Sequence, residues 1–235
     1  MAKNGHTTYM TALERGLGGV FFLIYLLVLP FVTDPAFRGL EVLLGRSLSE
    51  SVENRIYYYV LFVVTLLLFW IYIGRTTSYF LSATLPTLGT VVTGLVGFYG
   101  INELSFRVLR LVMGGFSNLN DMTISAQVTD APRSTFLIIV FLAPFVEEVL
   151  FRGYVFGLIR EKNRTAAYIV SCALFAALHV WQFAAVDQSV SAFLLMVQYF
   201  VPGLVFAWCY EKSGTLWGAI LPHAFVNALA VWGIL

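Results

Sequence analysis

Glu147, Glu148 and Arg152 stand in a stretch, Thr135 to Arg160 (T-F-L-I-I-V-F-L-A-P-F-V-E-E-V-L-F-R-G-Y-V-F-G-L-I-R), that is otherwise almost wholly apolar. No loop signal interrupts it, so all three fall on one membrane-length helix. An ionised side chain inside a bilayer costs about 2.5–3.5 kcal/mol on insertion scales. Three so close together need partners or a task. Consecutive helical residues differ by about 100° in direction, so Glu147 and Glu148 cannot point at one target, whereas Glu148 and Arg152, four apart, share a face. Glu148 is therefore expected to pair with Arg152 and hold the helix, leaving Glu147 facing a cavity. A packing network without chemistry is the competing reading.

Three more polar residues lie in apolar runs nearer the C-terminus. His179 ends F-A-A-L-H, and L-P-H-A-F-V-N places His223 and Asn227 four apart, on one face of a helix. Pro222 frees a backbone carbonyl beside His223. A lone membrane histidine is commonly a hydrogen-bond partner between helices, but here a Glu, a His, and a His with an Asn recur in three of the last four apolar runs. At 1.5 Å per residue, Glu147 lies about 20 Å from the Arg160 end of its helix, His179 about 20 Å from Ala166 and His223 about 12 Å from Thr215. All three can share a depth. A carboxylate, two imidazoles and an amide away from bulk water suit peptide hydrolysis: a buried Glu takes a proton from water, a His orients that water, and His with Asn donate to the oxyanion. No Ser or Cys stands with a base for a covalent route, and H-E-x-x-H is absent. A proton-coupled carrier also uses Glu and His within spans, but carriers repeat their halves, and here the polar groups all fall in the C-terminal half.

The elements that position these residues follow from composition and hydropathy. Of 235 residues, 59% are hydrophobic and 11% charged, with mean hydropathy +0.83, which selects a polytopic membrane protein over a soluble domain. A net charge of +1 argues against nucleic acid as a partner. Seven spans fit, with eight as the alternative: Leu17–Val32, Ile56–Ile73, Phe80–Ile101, Thr135–Arg160, Ala166–Trp181, Val190–Cys209 and Thr215–Trp232. The expected fold is an all-α transmembrane helical bundle. Residues 1–134 are read as N-terminal spans with a connector, and 135–235 as the catalytic core. F-V-T-D-P-A after the first run is a poor cleavage site, so that run reads as a retained helix. Asp34–Arg55 reads as a solvated or interfacial connector. Tyr57, Tyr58 and Tyr59 suit an interfacial belt, and Gly74–Ser78 a tight connection. Gly89, Gly94, Gly97 and Gly100 suggest that the third span is buried among helices. Leu104–Phe116 has the pattern of an amphipathic interfacial helix, and the residues from Ser117 to Ser134 read as a loop. Cys172 and Cys209 read as small buried hydrophobes. Arg160, Lys162 and Arg164 are placed in the cytoplasm by the contrast with the next connector, which has no basic residue.

E-E-V-L-F-R at Glu147–Arg152, F-A-A-L-H at Phe175–His179 and H-A-F-V-N at His223–Asn227 resemble, in order and spacing, the three motifs of the CAAX-protease and bacteriocin-processing (Abi) family of intramembrane endopeptidases. The resemblance covers Thr135 to the C-terminus, and the compact chain is similar to the prokaryotic branch. It implies a helical membrane fold in a prokaryotic plasma membrane, with a catalytic cavity open to the cytoplasm and laterally to lipid. The implied substrates are membrane-bound peptides or lipidated, CAAX-like proteins. By resemblance, Glu147 is the general base, His179 its water-positioning partner, and His223 with Asn227 the oxyanion donors, while Glu148 and Arg152 are structural. No cofactor is favoured; a zinc ion held by Glu147, His179 and His223 is the alternative the resemblance leaves open. A non-proteolytic scaffold or immunity factor using the same cavity is the competing function.

Overall fold

A computed structural model of the chain describes residues 10–113, 119–186 and 190–234. Among these are nine helices and no strand: α1 (Ala12–Leu44), α2 (Glu50–Leu68), α3 (Trp70–Ser82), α4 (Thr84–Met113), α5 (Leu119–Asp130), α6 (Pro132–Arg160), α7 (Arg164–Val186), α8 (Val190–Ser213) and α9 (Trp217–Trp232). The fold is the all-α helical bundle expected. Five helices among the described residues are long and apolar enough to cross a bilayer: α1, α2, Thr84–Val112 of α4, α6, and Arg164–Trp181 of α7. The 24-residue α8 and the shorter apolar α9 pack with them. These seven correspond in order to the seven expected spans; α3 and α5 are additional.

Helix α6 is the centre of the bundle. Its sequence is apolar on every face, which is the pattern of a helix surrounded by others. The most apolar stretch of α6 is 72% buried, against 11–33% in the other four crossing helices, and α1, α2, α7, α8 and α9 all pack on it. Two wide π turns, Ile138–Leu142 and Val149–Phe156, flank the segment that carries Glu147 and Glu148. Such turns inside α-helices often mark functional sites, because each rotates the side chains that follow it.

Several boundaries differ from expectation for local reasons. Helix α1 begins at Ala12, because Thr11 and Glu14 form a capping box, and it continues to Leu44, where Gly45 takes the left-handed conformation (φ 62°) that ends it. The charged stretch after Asp34 is thus helical, with Asp34, Arg38 and Glu41 at helical spacing along one side. The second expected span breaks at Phe69, and Gly74–Ser78 is helix within α3. The cause is Glu14. Its Oε2 accepts from the Thr11 N–H at 2.8 Å, and its Oε1 accepts from the Tyr72 N–H at 2.8 Å, so one buried carboxylate caps the first turns of both α1 and α3. Helix α4 runs on as far as Met113, so the segment from Leu104 continues that helix; residues 114–116 lie outside the described residues. The expected loop holds α5, and residues 117 and 118 are also outside the described ones. Of the four glycines in α4, only Gly94 meets a neighbour, with the Cys209 sulfur against it; Gly89, Gly97 and Gly100 face open space, so α4 is buried along one line and not all round.

Glu14→Ala removes a cap worth about 1 kcal/mol and orphans a buried N–H at a further cost of about 1–3 kcal/mol. Thr11→Ala removes only the first. The expected result in detergent is a clearly larger fall in Tm for Glu14→Ala than for Thr11→Ala.

The C-terminal helix is held by α3. Thr76 Oγ1 accepts from the Leu216 N–H at 2.8 Å, Thr215 Oγ1 donates to the Thr76 carbonyl at 3.0 Å, and Trp217 Nε1 donates to Thr77 Oγ1 at 2.8 Å. With the turn at Gly214 (φ 73°), these bonds fix where α9 starts and so where His223 comes.

Beyond the apolar part of α8, Glu211 gathers Arg160, Arg164 (2.8 Å) and the Tyr168 hydroxyl (2.7 Å). Burial by itself raises this carboxyl; the hydrogen bonds from Arg164, Tyr168 and Arg160 outweigh it and bring it down to about 2. A carboxyl lower in the folded than in the unfolded state adds stability above its unfolded value of 4.5, and loses it as pH falls toward 2. Glu211→Gln is therefore expected to lower Tm at pH 7 and to flatten its fall between pH 4.5 and 2, read by thermal unfolding.

Candidate active site

Three helices bring the sequence-selected residues together. Glu147, Glu148 and Arg152 come from α6, His179 from α7, and His223 and Asn227 from α9. Glu148 and Arg152 pair as expected: Nη1 donates to Glu148 Oε1 at 3.0 Å, and both side chains are fully buried. Arg152 Nη2 also donates to the Gly203 carbonyl of α8 at 3.0 Å, and the guanidinium lies 4.4 Å above the Phe175 ring. Gly203 is where a Cβ would press on that guanidinium, at 3.4 Å.

The two glutamates do share a target, contrary to expectation. His223 stands against α6 with Nδ1 2.7 Å from Glu148 Oε1 and Nε2 3.9 Å from Glu147 Oε2. One imidazole reconciles the two directions because its nitrogens lie on different edges. A carboxylate only accepts, so His223 Nδ1 carries the proton. His179 is held the same way, with Nδ1 donating to the Phe175 carbonyl at 2.8 Å and Nε2 3.8 Å from Glu147 Oε2. In both rings Nδ1 is thus engaged, and Nε2 is the nitrogen that faces Glu147. Aromatic stacking fixes the ring planes: Phe206 lies 4.6 Å from His223, and Tyr199 4.8 Å from His179. Glu147 Oε2 is buried and accepts no hydrogen bond among the described residues.

Asn227 has a different contact. Its Nδ2 donates to the Ile139 carbonyl at 2.9 Å. In the π turn the carbonyl of residue 138 takes the N–H of residue 143, so that of Ile139 would look to residue 144, which is Pro144 and has none. Asn227 supplies the missing donor. One of its two amide hydrogens remains.

Sequence reading missed the rings of Phe206 and Tyr199, and the link between Glu148 and His223. It also put Tyr57 and Tyr58 in an interfacial belt. The helix that carries them, α2, packs against the part of α6 that holds Glu147 and Glu148. The N-terminal helices thus form one side of the site, a role that their apolar sequences did not signal.

Donors around one zinc ion, each about 2.0–2.1 Å from it, stand about 3.3 Å from one another. Glu147 Oε2 is 3.8 and 3.9 Å from the two Nε2 atoms, and no three His, Cys, Asp or Glu side chains among the described residues form a group able to hold a metal ion. Both separations are about 0.5 Å wider than those of a closed zinc site.

Residues 130–229 match the family described as type II CAAX prenyl endopeptidase Rce1-like. This stretch is similar to that family. Its limits take in α6 from its first turn, α7, α8 and nearly all of α9, so the helices carrying Glu147, His179, His223 and Asn227 are the Rce1-like part of the chain. The chain is also similar to UPF0177 protein YxdF of Lactococcus lactis subsp. lactis (strain IL1403), with 31% identity over 86 residues; the match spans 37% of this chain and 42% of the relative's length. No solved structure matches.

Proposed function

We propose that the chain is an intramembrane endopeptidase in which Glu147 activates water against the peptide carbonyl of a membrane-anchored substrate. The observation that carries this reading is the buried Glu147 Oε2, which has no protein donor and faces the Nε2 atoms of His179 and His223 at 3.8 and 3.9 Å. The match of residues 130–229 to the Rce1-like family supports the reaction class.

Glu147 takes a proton from water as the water oxygen bonds to the carbonyl carbon, and the carbonyl oxygen becomes the oxyanion. His179 Nε2 holds the water by accepting its second hydrogen. His223, with Nδ1 on the Glu148 carboxylate at 2.7 Å, donates to the oxyanion from Nε2 in its doubly protonated form. The remaining Asn227 hydrogen is the second donor. Glu147 then passes its proton to the amine as the C–N bond breaks. Glu148 thus fixes which way His223 faces, which goes beyond a bracing role, while Arg152 holds Glu148.

Residues 135–235 form the catalytic core in this reading, and 1–134 wall and anchor it in the membrane. The substrate is a membrane-bound peptide, lipidated or CAAX-like, and Arg160–Arg164 lie in the cytoplasm. The test is purified protein in liposomes with a library of lipid-anchored peptides, read by mass spectrometry. Defined products are expected. Saturable peptide binding with no product would instead establish a scaffold or immunity factor.

A further inference from the structure

The first π turn of α6 ends against a proline. In a regular α-helix the Pro144 ring would press on the carbonyl of Val140, four residues back, and Pro144 has no N–H to offer. The turn Ile138–Leu142 takes up one extra residue just before it, and the Ala143 N–H goes to the Ile138 carbonyl, five residues back. The Ile139 carbonyl is thereby left without a backbone donor on its own helix. Inside a bilayer no water is at hand to serve it, so the donor must come from the protein. It comes from α9, through Asn227 Nδ2 at 2.9 Å.

Two bonds therefore pin α9 to α6, and along α6 they straddle Glu147. Asn227 holds the Ile139 carbonyl before it, and His223 Nδ1 lies 2.7 Å from Glu148 Oε1 after it. Pro144 is buried and stands three residues ahead of Glu147 on the short α-helical segment Ala143–Glu148. The register of the turn before that segment sets the direction in which Glu147 leaves α6. We propose that Pro144 and Asn227 work as one latch: the proline opens the π turn, the amide closes it from α9, and together they place Glu147 opposite His223. Pro144 is thus a positioning residue for the base, and the bond to Ile139 is a task of Asn227 separate from that of its second amide hydrogen. This deepens the reading of Glu147 as the base, and only the kinetic half of its test rests on that reading.

The test is a double-mutant cycle of Pro144→Ala and Asn227→Leu in the full-length protein, read by unfolding in detergent and by cleavage in liposomes. Alanine restores an N–H at position 144, so α6 can close the turn by itself. Asn227→Leu is expected to lower Tm by about 2–4 °C or more in the wild type, and by less than half as much in the Pro144→Ala background. On a lipid-anchored peptide, each single variant should lower kcat about tenfold or more with KM little changed, and the double variant should stand about tenfold above the product of the two losses. The same fall in Tm in both backgrounds, a wild-type kcat in Pro144→Ala, or losses that multiply would overturn the latch and leave Asn227 to the oxyanion alone. Asn227→Ala takes the place of the leucine variant if that one does not insert. Because unfolding needs no turnover, a protein that cleaves nothing can still show the coupling in Tm, and a Glu147-dependent protease can still lack it.

Discussion

Glu147→Gln is expected to cut peptide hydrolysis by about 10²–10⁴-fold or more, the span that a positioned general base supplies, while leaving Tm in detergent unchanged or slightly higher. The second half of that result is the more diagnostic. Glu147 is buried with one carboxylate oxygen unpartnered, so as an anion it is a liability to the fold that only a chemical task justifies. Glutamine keeps the shape and removes the charge. A variant that folds at least as well and cleaves almost nothing separates the base from a packing residue; a fall of several degrees in Tm with cleavage retained would assign Glu147 to the scaffold.

Arg152→Met should have the largest effect on stability. It leaves Glu148 charged and fully buried without its guanidinium partner, a loss of about 3–5 kcal/mol for a broken buried pair. It also empties the space between Phe175 and the Gly203 carbonyl. The double variant Glu148→Gln/Arg152→Met removes both charges and should recover much of that stability. It should not recover activity, because the carboxylate that holds His223 Nδ1 at 2.7 Å is then gone. The checks are chemical unfolding for the first claim and kcat against KM for the second, with kcat falling and KM little changed. Recovery of both stability and kcat in the double variant would return Glu148 to a bracing role.

Much of this site was legible from spacing. The four-residue intervals from Glu148 to Arg152 and from His223 to Asn227 set shared faces, and the overlapping depths of Glu147, His179 and His223 are realised as two contacts under 4 Å. Spacing could not supply tertiary direction. A 100° step says where a side chain leaves the helix, not which edge of a partner ring it meets, and so the joint hold of Glu147 and Glu148 on His223 was hidden. Asn227 was read as an oxyanion donor, but the donor it replaces was already written in the sequence, at Pro144. In the N-terminal half the signals were present but outweighed by hydropathy: T-A-L-E at Thr11–Glu14 is a capping box, yet nothing local ties Glu14 to Tyr72, 58 residues on. Tyr57 and Tyr58 were assigned by composition to an interface, and nothing local signals that α2 packs on the part of α6 that holds Glu147.

The central claim is that a carboxylate, with no metal step, drives the hydrolysis. The most direct measurement is metal content by mass spectrometry on purified protein, together with cleavage of a lipid-anchored peptide by the same sample before and after chelation. The predicted result is metal far below one ion per chain and cleavage unchanged by the chelator. Stoichiometric zinc, lost on His179→Ala or His223→Ala, with cleavage abolished by chelation and restored by added zinc, would contradict it and make Glu147 a ligand.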